Sequence, residues 1–377
     1  IYDDEPTAKT GDDAYVMLKF TAGESVSVGT RAADTNPGTT EENTFKSMRV
    51  WVFVSGDSSP LAYKEETGLN EISGSHTIQM KLPKSVIGNR KKIDLYILTN
   101  GESGSDLSGT DNRQKTRQQL KDSKIGNNGN GNEFGLDING KNRKAHTTSV
   151  PTTGLPMSRA VTDIDFETYA SETKDGAKPI SVRLHRAVTK FHMFFARKAG
   201  VGLDRAYITK VCFLADNAIA LSEYTFPGEE QFVNDMPDRT SAKSVKTEGI
   251  DFDGNVIYGE TPASDITTLP DGTEPEAYKK TASETAKEYM ERLKKAGIVG
   301  HNLSYFCESY TSKIVRIYYK LSPTGQEYSS DVEIPKEAFL RNREVVVYAY
   351  FKDNKVNVSL QYHVIDWTDG GGDIGYN

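Results

Sequence analysis

The sequence predicts a mainly β protein of two domains, with one substantial helix in the second. Three observations lead there. Apolar residues alternate with period two in segment after segment, the pattern of half-buried strands. At 377 residues the chain is long enough for two domains, each able to bury a core of its own. Only one stretch sets apolar residues at helical spacing between a clear start and a clear stop.

The first element is Ala14 to Phe20, where Val16, Leu18 and Phe20 share one face and Tyr15, Met17 and Lys19 the other. From Thr21 to Asn43 the chain is Gly, Ser, Thr, Asn, Pro and acid, with Val26 and Val28 its only large apolar residues and Arg31 near its middle. Met48-Arg-Val-Trp-Val-Phe-Val54 resumes the sheet. A core strand tethered through a slack, cuttable loop is unusual in a self-contained domain, and it reads as a strand meant to be lost.

Further strands are predicted from Ile78, Met80 and Leu82, and from Ile93, Leu95 and Ile97 before the break at Thr99-Asn-Gly101. Residues 101–153 are mostly polar, with 126–132 the slackest part and 111–121 a weakly marked helix whose one large apolar residue is Leu120. Ile180, Val182 and Leu184 form another face. Parity switches near Arg186, because Phe191, Met193 and Phe195 share a face with Ala187; a bulge or a change of sheet explains it. Gly200-Val-Gly202 reads as the hinge between halves, giving domains over 14–198 and 199–377 with residues 1–13 as a tether.

In the second half Ala206 to Leu214 and Val315 to Leu321 read as strands. The chain closes on a pair over 344–367, turning through Lys352-Asp-Asn-Lys355. In its last member Val356, Val358, Leu360, Tyr362 and Val364 face one way. The helix lies between a capping box at Thr273 and Glu276, with Pro275 in its first turn, and a stop at Gly297. Its stripe of Tyr278, Ala282, Ala286, Tyr289 or Met290, and Leu293 suits packing on a sheet better than a cofactor.

The chemistry is sparse. A net charge of −7 with scattered basic residues argues against nucleic acid or an anionic membrane as partner. No apolar run is long enough to span a bilayer. The chain begins at Ile1 rather than Met and reads as a processed product whose targeting segment is out of view. Cys212 and Cys307 read as buried free thiols, with a mutual disulfide as the alternative. Six separated histidines give no i,i+4 metal pair. Ser171-Glu-Thr-Lys174 has the spacing of a serine–lysine nucleophile but sits in a polar stretch without companion motifs. Asp251-Phe-Asp-Gly-Asn255 begins like a calcium loop, yet its twelfth position is Pro262 instead of a bidentate Glu. No catalytic residue, cofactor or metal is expected.

Several phrases in order resemble the Bacteroidales fimbrillin family, the type V pilins. They are Thr30-Arg-Ala32 before an acidic stretch, Met48-Arg-Val-Trp-Val-Phe53, Tyr96-Ile-Leu-Thr-Asn100 and Gly154-Leu-Pro-Met157. Val182-Arg-Leu-His-Arg-Ala-Val-Thr-Lys190, Leu340-Arg-Asn-Arg343 and Val364-Ile-Asp-Trp367 continue the series. The resemblance covers most of the chain, and residues 101–150 and 228–272 carry little of it. It implies two tandem transthyretin-like β-sandwiches and export as a lipoprotein whose lipidated Cys stands just before Ile1. It further implies an outer-membrane or cell-surface location, with other pilin subunits and an arginine-specific surface protease as partners. By position the cut falls between Arg31 and Ala32. It would free the strand at 14–20 for replacement by a strand of a neighbour, for which Val356 to Val364 is the candidate donor.

Two features leave the role in a fimbria open. Ile1-Tyr-Asp-Asp4 resembles the start of uncut anchor subunits, whereas the Arg31 loop resembles that of stalk or tip subunits. No further alternating strand follows Trp367, so either the last strand is displaced or the chain is a tip that only accepts. The competing reading is a monomeric surface lipoprotein that binds glycan or peptide through its loops.

Overall fold

The computed structural model describes residues 12–22, 40–72, 74–109, 111–126, 146–147, 150–198, 207–213, 220–232, 248–249, 255–258, 267–269, 281, 283–284, 286–296, 298, 300–309, 312–320, 324–351 and 358–366. The protein is mainly β.

Alternating apolar residues build the first sandwich. Its strands are β1 (Asp13–Ala22), β2 (Phe45–Val54), β3 (Ala62–Glu71), β4 (Ser75–Pro83), β5 (Lys92–Thr99), β8 (Met157–Asp165) and β9 (Pro179–Arg186). One layer runs β3-β2-β5-β8 and the other β9-β1-β4, joined where β8 and β9 pair through Met157, Ser158, His185 and Arg186. Inward residues of both layers, among them Val50, Val52, Leu95, Ile97, Leu82 and Ile180, form one core. The expected strands at 14–20, 48–54, 78–82, 93–97 and 180–184 are all present. β3 and β8 are additions: Ala-Tyr-Lys-Glu-Glu-Thr-Gly-Leu-Asn-Glu71 is an edge strand with little apolar alternation. Four short helices, α1 (Thr40–Asn43), α2 (Lys84–Ile87), α3 (Arg117–Asp122) and α4 (Phe166–Tyr169), turn corners. The weakly marked helix at 111–121 is real only from Arg117, where Thr116 and Gln119 close a capping box.

The parity switch at Arg186 is a change of sheet. β10 (Val188–Lys198) runs parallel to β20 (Arg343–Phe351) and antiparallel to β17 (Gly300–Cys307). Phe191, Met193 and Phe195 accordingly lie in the second core. Residues 188–198, expected to end the first domain, therefore pair and pack with the second, because Ala187 passes the chain between layers. The glycine hinge at 200–202 lies outside the described residues.

The second sandwich sets the layer β21-β20-β10-β17, with β21 spanning Val358–Asp366, against β15-β11-β18-β19. These last four are Asn255–Tyr258, Tyr207–Phe213, Lys313–Lys320 and Glu327–Ile334. Two-residue β7 (His146–Thr147) extends the first layer beside β17, and β16 (Thr267–Leu269) runs along β10. β20 is buried on both faces: Val345, Val347 and Ala349 enter the core, while Val346, Tyr348 and Tyr350 meet the helix α5 (Ala286–Lys295). Tyr289 and Leu293 form the buried stripe of α5, as expected. The helix starts later than expected: Thr281, Ser283 and Glu284 are not helical, so α5 does not run from the Thr273–Glu276 box, and residues 273–276 and Gly297 lie outside the described residues. Cys307 is a buried free thiol, so the disulfide alternative does not hold. Among the described residues no helix is long and apolar enough to cross a membrane.

A segment of the second half crosses back. β12 (Ala220–Tyr224) pairs with β6 (Lys124–Ile125) and with β14 (Glu248–Gly249), and β13 (Glu230–Gln231) adds beside Val161 and Thr162 of β8.

Candidate functional site: the seat of the first strand

β1 has strand neighbours on both sides. It runs antiparallel to β4, with Leu18 opposite Ile78, and parallel to β9, with Leu18 opposite Ile180. Period-two alternation sends Ala14, Val16, Leu18, Phe20 and Ala22 into the core, and Val16, Leu18 and Phe20 are fully buried. The other face is half-open. There the Tyr15 ring lies between the ammonium groups of Lys81 at 5.5 Å and Lys174 at 5.9 Å.

Both ends of the strand are tied down. Asp12 accepts from the backbone N–H of Lys84 through its carbonyl at 2.9 Å, and from that of Ser85 through its carboxylate at 3.1 Å. At the far end Ala22 N–H donates to Gly74 O at 2.7 Å. Gly74 has φ +66°, and a Cβ there would lie 3.2 Å from Asn43 Cβ and 3.3 Å from Ala22 O. The two feet of the 23–39 loop thus stand side by side, and cutting between them would not by itself displace either foot. Arg31 and Ala32 lie outside the described residues.

The downstream foot is anchored across the junction of the sandwiches. Glu42 is fully buried and accepts from Lys190 Nζ at 2.8 Å and Tyr305 OH at 2.7 Å. Arg186 Nε donates to Glu42 O at 3.3 Å, another of its nitrogens donates to Asn342 Oδ1 at 3.2 Å, and a third to the Asn43 side chain. Burial lowers the Arg186 guanidinium to about 10, with Glu42, Tyr305 and Glu344 pulling the other way. Asn342 holds a left-handed backbone at φ 61° and donates its N–H to Val188 O at 2.9 Å. Nearby Asn100, also left-handed, donates to Leu155 O at 2.7 Å and Thr44 O at 3.0 Å and accepts from Lys46 N–H at 2.7 Å.

Of the candidate donor residues, Val358, Leu360, Tyr362 and Val364 lie on β21, paired antiparallel to β20 at the edge of its layer; Val356 lies outside the described residues. They are therefore in the opposite sandwich from Val16, Leu18 and Phe20. Ser171 exchanges backbone hydrogen bonds with Tyr15 at 2.7 and 3.0 Å, and its hydroxyl accepts from Thr173 N–H at 3.2 Å. Ser171 thus sits in a turn that flanks β1, and Lys174 opens a three-residue 3-10 helix that does not include Ser171. The calcium-like segment 251–254 lies outside the described residues. Among the described residues no group of three or more His, Cys, Asp or Glu is placed to hold a metal ion.

Sequence reasoning missed the junction residues Glu42, Asn100, Arg186, Lys190, Arg341 and Asn342. Five of them fall inside or beside the phrases quoted above. No local pattern marks them, because each finds its partners in distant segments.

No family model matches the chain, and no curated protein sequence does. Solved structures similar to it include a candidate cell adhesion protein from Parabacteroides distasonis, with TM-score 0.49 and 15% identity over 96% of this chain and 98% of that one. The tip fimbrial protein Mfa3 from Porphyromonas gingivalis gives TM-score 0.44 and 13% identity over 94% of this chain and 100% of that one. A fimbrial assembly protein from P. distasonis gives 0.43 and 12% over 94% and 96%.

Proposed function

We propose that this chain is a subunit of a cell-surface fimbria that assembles by strand exchange and serves adhesion. In this reading an arginine-specific protease cuts the Arg31–Ala32 bond, β1 leaves, and a strand of a neighbouring subunit takes its place between β9 and β4. Export as a lipoprotein to the outer membrane, with residues 1–13 as the tether, and a pair of transthyretin-like sandwiches belong to the same reading. The observation that carries it is the seat of β1: a core strand flanked on both sides, leaving through a loop that holds one arginine and whose feet meet at Gly74.

The energetics favour replacement over a vacant slot. Burying Val16, Leu18 and Phe20 contributes roughly 1.5–3 kcal/mol each. Their sum is comparable with the whole stability of an ordinary domain, about 5–15 kcal/mol. A sandwich that loses them needs a substitute of matching alternation, which is strand addition.

The experiment is digestion of the purified protein with an arginine-specific protease, followed by intact mass and by electrophoresis in SDS without heating. A single early cut after Arg31 and a ladder of SDS-resistant oligomers are expected. Cleavage at other sites first, or a cut product that stays monomeric at high concentration, refutes strand exchange. One observation favours a tip that accepts without donating: β21 is seated in its own sheet. A ladder limited to one added partner, formed only with a second protein, would identify that role.

A further inference from the structure

Residues 220–232 form a strap from the second half across the first. Phe226 enters the aromatic cluster of Trp51 and Tyr96, and Thr225 N–H donates to Ser123 O at 2.9 Å. Farther along, Arg159 Nε donates to Glu230 at 2.8 Å. At the root of the strap Glu223, Glu308 and Arg341 meet in a buried cluster.

Arg341 Nε donates to Glu308 Oε2 at 2.9 Å, and Arg341 NH2 lies 3.5 Å from Glu223 Oε2. The same guanidinium reaches Ser158 Oγ at 3.0 Å and Thr225 O at 3.2 Å, so it ties the second sandwich both to the first and to the strap. Glu308 N–H donates to Glu223 Oε2 at 2.9 Å. Glu223 Oε1 is buried without a hydrogen-bond partner on a residue only 1% exposed.

Two carboxylates therefore share one guanidinium. The other charged or titratable neighbours do not redress the balance. From β6, the Lys124 ammonium lies over the Tyr224 ring at 5.5 Å. From β8, Arg159 is engaged by Glu230. From β17 neither the Cys307 thiol, which burial keeps neutral, nor Tyr305, whose hydroxyl donates to Glu42, adds positive charge. An anion with an orphaned oxygen in such a place is costly, and a neutral acid far less so.

We propose that Glu223 carries a proton in the closed molecule, and that losing this proton releases the strap from the first sandwich. The device is a pH-sensitive clamp between the two halves, and neither cleavage nor assembly enters into it. Burial pushes the Glu223 carboxyl above the ordinary range; Arg341 pulls it down and Glu308 pushes it further up. The closed clamp then holds a proton that the open one gives up. Opening becomes more favourable as pH rises from the ordinary Glu value towards the raised one, by up to about tenfold per pH unit, and levels off above it.

Hydrogen–deuterium exchange on the uncut protein from pH 5 to 9, corrected for the intrinsic pH dependence of exchange, tests this. Peptides within 220–232 and 157–161 are expected to open progressively with pH in the native protein. In Glu223→Gln, which imitates the protonated acid, the rise should vanish. Glu308→Gln leaves Glu223 as the sole carboxylate on Arg341 and should flatten the rise as well, so the idea stays testable if the first variant folds poorly. A native strap whose opening does not change with pH, or a folded variant of either kind that keeps the native slope, overturns it.

Discussion

Replacing Phe20 by Ala removes the largest inward side chain of β1 from a site where it is fully buried, with Val182 opposite on β9 and His76 on β4. Truncating a buried Phe costs about 3–5 kcal/mol, since lost transfer energy and a residual cavity add together. Trp51 lies within the first sandwich, so its fluorescence during urea unfolding reports that half. The midpoint should fall by the equivalent of that cost, whereas Lys19→Ala, one residue away on the exposed face, should stay within about 0.5 kcal/mol of the native protein. After cleavage the consequence changes character. On the proposed strand-exchange reading Phe20 then belongs to a separable strand, and the truncated strand should be held roughly two to four orders of magnitude more weakly. Competition with a synthetic peptide of residues 12–22 measures this directly. Equal losses for Phe20→Ala and Lys19→Ala, or an unchanged release of the truncated strand, would refute the buried-plug reasoning.

Three further outcomes follow from charge, buried in two cases and exposed in one. Glu42→Ala takes the carboxylate from Lys190 and Tyr305 and should cost about 3–5 kcal/mol in urea unfolding. Arg316→Ala, which breaks the exposed pair with Asp331, should cost under about 1 kcal/mol. Lys313 is fully buried, and burial alone draws its amine down to about 8. Below that pH the folded protein holds a buried charged amine, over the Phe339 ring at 6.0 Å, at a penalty of about 3 kcal/mol against an unfolded value near 10.4; between the two values the penalty fades as pH rises. Lys313→Met should therefore raise the melting temperature at pH 7 and flatten the increase in stability above pH 8.

Legibility in the sequence followed alternation. β1, β2, β4, β5 and β9 each have one apolar face, and periodicity located them within a few residues. β3 has none, because an edge strand can leave Lys64, Glu65 and Glu66 half-exposed and Asn70 exposed. β8 failed for another reason: Met157-Ser-Arg-Ala-Val161 buries both faces, so its polar residues are inside. Ser158 pairs with the strap and the junction, and Arg159 with Glu230 of the strap as well as Arg183 O on β9, all distant in sequence. Arg186 and Asn342 likewise pair across the junction, and Arg341 joins Glu308 of its own half to Ser158 of the other. Local pattern carries the sandwich cores, but the junction depends on long-range polar pairing that no local period encodes. The candidate site divides likewise. The inward row of β1 was readable, whereas its two flanking strands and the shared feet of its exit loop required coordinates.

The relation between the two strands at issue turns on their surroundings. Among the described residues β21 is an edge strand, hydrogen-bonded to β20 alone, whereas β1 has a ladder on each side. A strand moving from an edge into such a slot satisfies donors and acceptors that the edge left to water, and it removes an exposed edge as well. Side-chain order is compatible with the move. Val16-x-Leu18-x-Phe20 and Val358-x-Leu360-x-Tyr362 present the same sequence of sizes in the same chain direction, so a donor in register would run parallel to β9 and place Tyr362 where Phe20 had been. The extra hydroxyl of Tyr362 sets the condition on this pairing. His76, opposite Phe20 on β4, is within hydrogen-bonding distance of Glu66 on β3, at 2.6 Å, so polar groups border that end of the slot. If the hydroxyl is accommodated there, Tyr362→Phe should loosen SDS-resistant oligomers only slightly, while Leu360→Asp, in the dry middle opposite Ile78 and Ile180, should abolish them. Oligomers that survive Leu360→Asp would mean that β21 is not the donated strand, leaving the chain as an acceptor only.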